Sequence, residues 1–260
     1  MSTPLDRFCL DGQTIAVTGA SSGFGHHFAG VLASAGARVV LGARRVEKIE
    51  ARVEEIRAAG GEAIGLPLDV TNRESLEQFL DGAWELAGRL DCLIQNAGVE
   101  AGAKTFDMID EEDWDFVLDT NLKSVWLGAK LYAERVKAHD QEGGNIVNVG
   151  SITASRTIKG QFPYAISKAG LHKATEVLAL EAAKLGIRVN TLAPGYILTD
   201  VSRVLLESPG SDEFRKGIPQ RRYGEFDDLD GPLLLLASDA STYMTGSTIV
   251  VDGGHLCSSL

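Results

Sequence analysis

Cysteine is scarce in this chain: Cys9, Cys92 and Cys257 stand alone, odd in number and without CxxC spacing. Such a set builds neither a disulfide framework nor a zinc site, and it suits a reducing compartment. Long apolar runs are missing too. The longest obvious one, Leu233 to Ala237, falls far short of the roughly 20 residues that span a bilayer. The first ten residues carry Asp6 and Arg7 in place of an uninterrupted apolar segment. Positive charge is in deficit, with 25 Lys and Arg against 36 Asp and Glu and a formal net charge of -11. That balance argues against sequence-independent binding to nucleic acid or an anionic membrane, since both attract basic surfaces. No linker, composition break or internal repeat divides the sequence. These absences lead to the expectation of a cytoplasmic protein with one domain over residues 1–260 and neither nucleic acid nor membrane as a partner.

What is present is an alternation of short apolar runs and amphipathic stretches, the pattern of a doubly wound α/β sheet. Strands are expected at 14–17, 37–42, 62–68, 91–95, 144–149, 188–192 and 248–251. Helices are expected from Phe28 to Ala35, at 46–59 with Ile49, Val53 and Ile56 on one face, and at 72–87. Further helices are expected at 110–137, 161–185 and 230–238. The stretch 196–222, with Ser208-Pro209-Gly210, Gly217 and Pro219, has no settled period and is expected to form a lid.

The chemistry-bearing residues gather where strands end. Thr18-Gly19-Ala20-Ser21-Ser22-Gly23-Phe24-Gly25 follows the first strand and opens a helix. Glycines there admit a ligand close to the backbone, and a helix N-terminus offers free N–H groups to a pyrophosphate. About 20 residues past such a turn, an acidic residue would bind the ribose 2′-hydroxyl of NAD. Here the sequence reads Ala43-Arg44-Arg45, and guanidinium groups suit the 2′-phosphate of NADP. NADP(H) is therefore expected in preference to NAD(H). Asp69 stands where an adenine amino group could be met, or serves as a turn former. Asn96-Ala97-Gly98 closes the fourth strand. Asn121 lies within a helical stretch, where asparagine has poor propensity and usually faces water. Tyr164 and Lys168 are one helical turn apart on one face, and a cation beside a phenol favours phenolate. His26 and His27 begin a helix as neighbours and cannot share a face, so no metal site is expected.

The chain resembles the short-chain dehydrogenase/reductase family, 3-oxoacyl-acyl-carrier-protein reductases among its members. The likeness rests on Thr18-Gly19 with Gly23 and Gly25, Asp69, Asn96-Ala97-Gly98, Asn121, Ser151 thirteen residues before Tyr164, Lys168, Pro194-Gly195, Thr199 and Val251-Asp252-Gly253-Gly254. The resemblance implies a single Rossmann-like domain with a seven-stranded parallel sheet, assembled as a homotetramer or homodimer. It implies that Tyr164 is the general acid/base, that Lys168 holds the nicotinamide ribose and lowers the tyrosine pKa, and that Ser151 steadies the substrate oxygen. Asn121 would position a water leading from Lys168. Cofactor contacts are implied for Gly19, Ser21, Ser22, Gly23, Phe24, Gly25, Arg44, Arg45, Asp69, Val70, Asn96, Ala97, Gly98, Tyr164, Lys168, Pro194, Gly195, Ile197 and Thr199. Substrate contacts are implied for Ser151, Thr153, Tyr164 and Tyr196.

Departures from the family pattern are Gln95, where a second asparagine is common, Phe24, where isoleucine or leucine is frequent, and Ser22, where some NADP users have a basic residue. The expected reaction is hydride transfer between NADP(H) and a carbonyl or secondary alcohol. The alternatives are an NAD-dependent sugar or polyol dehydrogenase of the same family and a non-catalytic dinucleotide-sensing regulator. The expected substrate walls, at 99–103, 152–155, 161–162 and the lid, are mostly apolar or uncharged apart from Glu100, with Arg203 and Arg215 further along the lid.

Overall fold

The computed structural model describes residues 3–199 and 212–258. Residues 200–211 of the expected lid, Arg203 among them, lie outside the described residues. Seven strands, β1 (Thr14–Thr18), β2 (Arg38–Ala43), β3 (Glu62–Pro67), β4 (Cys92–Gln95), β5 (Gly144–Val149), β6 (Ile187–Pro194) and β7 (Thr248–Val251), form one sheet. Its order is β3-β2-β1-β4-β5-β6-β7, with every pairing parallel. The chain order reverses between β1 and β4, and at such a switch point the loops diverge to leave a crevice beyond the strand ends.

Both faces of the sheet are covered, which is why its strands read as continuous apolar runs. Ile15, Val17, Val39 and Leu41 point to one side. There they meet Phe28 and Leu32 of α1 (Gly23–Ser34), Ile49, Val53 and Ile56 of α2 (Val46–Ala58), and a late helix carrying Leu233 and Leu236. Ala16, Val40, Leu93 and Ile146 point to the other side. They pack on Leu76, Phe79, Leu80 and Trp84 of α3 (Arg73–Ala87) and on a later helix carrying Leu131 and Tyr132. Asn72 caps α3, its side chain accepting from the Ser75 N–H at 3.0 Å, and Gly88 ends it at φ +71°.

One expected helix is broken. In place of a continuous 110–137 helix the chain forms α4 (Glu111–Leu118), one π turn (Asp119–Lys123) and α5 (Ser124–Ala138). Single π turns inside helices are often found at functional sites because the extra residue re-aims a side chain. Here that side chain is Asn121, which is fully buried and does not face water. Among the described residues the remaining α-helices are α6 (Phe162–Ala182), the short α7 (Asp212–Lys216) and α8 (Asp230–Ala237). Strand β6 runs two residues past its expected end because Ala193 and Pro194 pair with Val250 and Val251 of β7. Among the described residues no helix is long and apolar enough to cross a membrane.

Candidate active site

The ends of β1 and β4 are laced together. The Thr18 hydroxyl accepts from the backbone N–H groups of Asn96 and Ala97, both at 3.1 Å. The Asn96 side-chain amide donates to the carbonyls of Thr18 (2.9 Å) and Gly19 (3.2 Å). Glycine is obligatory in this knot. At Gly19, φ is +69° and a Cβ would lie 2.8 Å from the Ala97 Cα; at Gly25 it would lie 2.5 Å from both Asn96 Nδ2 and the Gly19 carbonyl. Gly25 therefore supports the loop from beneath. Gln95, one residue earlier, is buried and donates to Val125 O and Asn148 Oδ1, both at 3.0 Å, so its departure from asparagine is absorbed inside the fold.

Above this knot runs a cavity of about 640 Å³ lined by Gly19, Ser21, Ser22, Gly23, Phe24, Arg44, Arg45, Asp69, Val70, Asn96, Ala97 and Gly98. It thus collects most of the positions the sequence marks for a dinucleotide. At its outer end the two arginines differ. Arg45 donates to the Ser21 hydroxyl (2.9 Å) and the Ser22 hydroxyl (2.8 Å), bracing the glycine turn. Arg44 is exposed, and among the described residues its guanidinium has no hydrogen bond or ion pair. Asp69 accepts from the N–H and hydroxyl of Thr71 (3.0 and 2.7 Å) and so shapes its own turn. Phe24 stacks with Phe28 at 5.9 Å and meets the edge of Phe226 at 5.8 Å.

At the inner end four side chains converge. Lys168 is buried, donates to the Val149 carbonyl at 2.7 Å, and lies 5.6 Å from the centre of the Tyr164 ring. A Cβ on Gly98 would sit 3.6 Å from Lys168 Nζ and 3.5 Å from Asn121 Oδ1, which places both beside the cavity. Asn121 spends its amide on protein partners. It accepts from the Val99 N–H (2.8 Å) and donates to the Val99 carbonyl (2.9 Å) and the Ser167 hydroxyl (3.1 Å), while Ser167 donates back to Tyr164 O. Ser151 accepts from the Thr153 N–H (3.2 Å) and hydroxyl (2.9 Å), leaving its own hydrogen free to point elsewhere.

The electrostatics correct one expectation. The Tyr164 phenol is held well above its ordinary range, first by burial and then by the Glu100 carboxylate, with a hydrogen bond from Ser151 acting the other way. In the free site the net shift is therefore upward, the reverse of the direction expected from Lys168. Burial lowers the Lys168 ammonium to about 8, with Glu100 opposing that fall. His172, one turn beyond Lys168, is pushed down by burial and by the Lys168 charge.

Other marked positions lie apart from the cavity lining. Pro194 ends β6 and Gly195 follows it, where a Cβ would lie 2.7 Å from Asp252 Cβ. Ile197 is buried in the core and pairs its backbone with Gly224, and Thr199 follows it. Tyr196 packs on His255 at 5.4 Å between ring centres and on Phe214 at 5.9 Å. Arg156, which the sequence did not mark, ties down the C-terminal stretch by donating to His255 O at 3.0 Å. His26 and His27 do not converge. His27 instead meets two remote carboxylates, Asp227 and Asp230, with ligand atoms within 4.8 Å of one another. The 2.6 Å contact from His27 Nε2 to Asp230 accounts for the core of that cluster, and no spacing in the sequence announces it.

A reversed-order parallel sheet with a glycine-lined crevice at its switch point defines a doubly wound α/β protein of the Rossmann type. The chain belongs to the short-chain dehydrogenase/reductase family of oxidoreductases: the family model described as enoyl-(acyl carrier protein) reductase matches residues 19–255. It is 36% identical over 245 residues to 3-oxoacyl-(acyl-carrier-protein) reductase FabG of Thermotoga maritima, covering 94% of this chain and 98% of the relative. Among solved structures it resembles a short-chain type dehydrogenase/reductase from Mycobacterium marinum (TM-score 0.92, 34% identity, 98% of this chain and 100% of the other). It also resembles a gluconate 5-dehydrogenase from Burkholderia cenocepacia J2315 in complex with NADP and tartrate (TM-score 0.93, 32% identity, 98% and 100%).

Proposed function

We propose that the protein is an NADP(H)-dependent oxidoreductase that interconverts a carbonyl and a secondary alcohol, with Tyr164 as the general acid/base. The observation that carries this reading is the convergence of Tyr164, Lys168, Ser151 and Asn121 at one end of a cavity whose other end holds Arg44 and Arg45. The residues present fit a dinucleotide: Gly19 packs on the Ala97 backbone with no room for a Cβ, which keeps the turn against the end of β4, whereas Gly23 at φ +56° opens α1 with no atom within 4 Å of where its Cβ would stand. Gly19, Ser21, Ser22 and Gly23 would hold the pyrophosphate, Arg44 the 2′-phosphate, Asp69 and Val70 the adenine, and Asn96, Ala97 and Gly98 the central ribose region. Pro194, Gly195, Ile197 and Thr199 would approach the nicotinamide from β6. NADP(H) when bound supplies the hydride chemistry.

The chain's own residues then govern the proton. Because burial and Glu100 keep Tyr164 protonated in the free site, the hydroxyl is in the form that donates to a carbonyl oxygen during reduction. Ser151, its acceptor positions occupied by Thr153, turns its hydrogen toward Tyr164 and the same oxygen. Lys168 carries the positive charge that stabilises the phenolate left behind and binds the nicotinamide ribose. Asn121 is a positioning residue that fixes Val99 and, through Ser167, the turn of α6 bearing Tyr164. Thr153 and Tyr196 border the substrate.

The relatives' names favour reductases of 3-oxoacyl thioesters and dehydrogenases of sugar acids, and both classes present a carbonyl or secondary alcohol. An NADPH-consumption screen over ketones, 3-oxoesters and sugars tests the reading. Turnover with at least one class is expected, whereas tight NADPH binding with no turnover would favour the non-catalytic regulator. We further propose a homo-oligomer, a tetramer or dimer, assembled through the outer face of α5 and α6. Trp126, Val177 and Leu180 stand 52%, 46% and 79% exposed there, and the groove between the helices has a volume of about 570 Å³. Val177→Asp places a charge in that face and is expected to halve the mass or reduce it to that of the monomer in light scattering. An unchanged mass would remove this face from the interface.

A further inference from the structure

A rung of polar side chains crosses the sheet one residue below the site. Gln95 of β4 is in register with Asn148 of β5, and Asn148 with Thr191 of β6, so the three side chains leave the same face of neighbouring strands. The next residue on each strand serves the crevice. Asn96 braces the glycine turn, the Val149 carbonyl receives Lys168, and the Leu192 carbonyl accepts from the Gly150 N–H at 2.7 Å. Helix α6 lies against this face of the rung and meets it with Thr175. Tyr164, Lys168, Leu171 and Thr175 follow one another at i, i+4, i+7 and i+11, a single face of that helix.

Backbone carbonyls, which only accept, fix the direction of every hydrogen bond in this rung. The Gln95 amide donates to the Val125 carbonyl of α5 and to Asn148 Oδ1, both at 3.0 Å, and so uses both of its hydrogens. Asn148 therefore turns its own amide nitrogen to Thr175 Oγ1, and the two meet at 2.8 Å. The Thr175 hydroxyl gives its hydrogen to Leu171 O at 3.0 Å, which makes the 2.8 Å contact with Thr191 a donation from Thr191. Gln95 is buried, and Asn148, Thr175 and Thr191 are fully so. Helix α5 admits the glutamine at Gly128, where a Cβ would collide with Gln95 Oε1. Such a rung carries a desolvation cost that apolar residues of equal volume avoid, and what its full pairing provides is a fixed geometry.

Resting on the oxidoreductase reading, we propose that Gln95, Asn148 and Thr175 are positioning residues that set the spacing between the cofactor turn and the helix bearing Tyr164 and Lys168. Gln95 adjoins the Asn96 knot on the cofactor side, and Thr175 stands on the acid/base face of α6 two turns beyond Lys168. Asn148 joins them and adjoins Val149, the residue that receives the Lys168 ammonium. With the tie cut, α6 is freer to roll or slide on the sheet. A misplacement of about 1 Å can cost on the order of 100-fold in rate, and with the Lys168 bond to Val149 retained the expected loss is about tenfold.

The test follows the hydride step by single-turnover NADPH oxidation, using the ketone, 3-oxoester or sugar turned over best in the screen above. Fluorescence titration gives the NADPH dissociation constant and thermal melting the stability of each variant. Gln95→Met keeps the length of the side chain without a donor, and Thr175→Val keeps its shape without the hydroxyl. Each should slow the hydride step about tenfold while changing the NADPH dissociation constant by less than about twofold. The double variant should lose little more than either single one, because both cut the same tie. Thr175→Ser, which restores the hydroxyl, should return the rate to within about twofold of the wild type. A wild-type hydride rate in Gln95→Met and Thr175→Val, with only the melting temperature lowered, overturns the positioning role. Thr175→Ala replaces any variant that does not fold and is held to the same outcomes. A wild-type protein that turns over no member of the screen overturns the oxidoreductase reading and this inference with it.

Discussion

Tyr164→Phe is expected to lower kcat by about 10³-fold while changing the dissociation constant for NADPH by less than about twofold. Positioned proton donors contribute roughly 10² to 10⁴ in rate, and removing the hydroxyl leaves the ring, its packing and the Lys168 ammonium in place. Steady-state NADPH oxidation measures the first quantity and fluorescence titration of NADPH the second. The separation between them is the informative feature, because Lys168→Met should damage both rate and cofactor affinity. Lys168 is buried against the Val149 carbonyl within reach of the cavity, so its loss removes a charge from the binding site as well as from the proton path. A fully active Tyr164→Phe enzyme would remove the phenol from the mechanism.

Arg44→Asp is expected to invert the cofactor preference. The wild type should favour NADPH over NADH in kcat/KM by about 100-fold, in line with the roughly 1.5–3 kcal/mol of hydrogen bonds to a charged group. The variant should lose NADPH efficiency by about that factor and gain with NADH, because an aspartate accepts from a ribose 2′-hydroxyl and repels a phosphate. Arg45→Ala should have a smaller effect, since the Arg45 guanidinium is already spent on the Ser21 and Ser22 hydroxyls. A wild-type preference for NADH would refute the assignment of Arg44.

The placement of the motifs at strand ends was legible because each rests on local chemistry. A buried parallel strand is a short apolar run, a positive-φ turn demands glycine, and a helix needs its i, i+3, i+4 stripe. All seven expected strands formed, most within a residue of their expected ends. The larger misses are non-local. An asparagine in a helix usually faces water, and only the resemblance marked Asn121 for the site; the π turn that buries it against Val99 and Ser167, both distant in sequence, has no local signal. The sequence also carried no sign that Arg45 would brace the glycine turn while Arg44 stayed open, since neighbouring residues of one type differ only in what the fold brings to them.

The acid/base site shows the same division. From the sequence came the identity of Tyr164 and Lys168, their shared helical face and a cation beside a phenol. The tertiary structure determined the balance of forces on that phenol. Burial raises its pKa, and Glu100, arriving from the loop after β4, raises it further. Residue types and short spacings determine which groups can exist on one element. Desolvation and the charges that arrive from other elements set their protonation, because both depend on the sheet order that lays β4 beside β1 and β5 and brings their loops over one crevice.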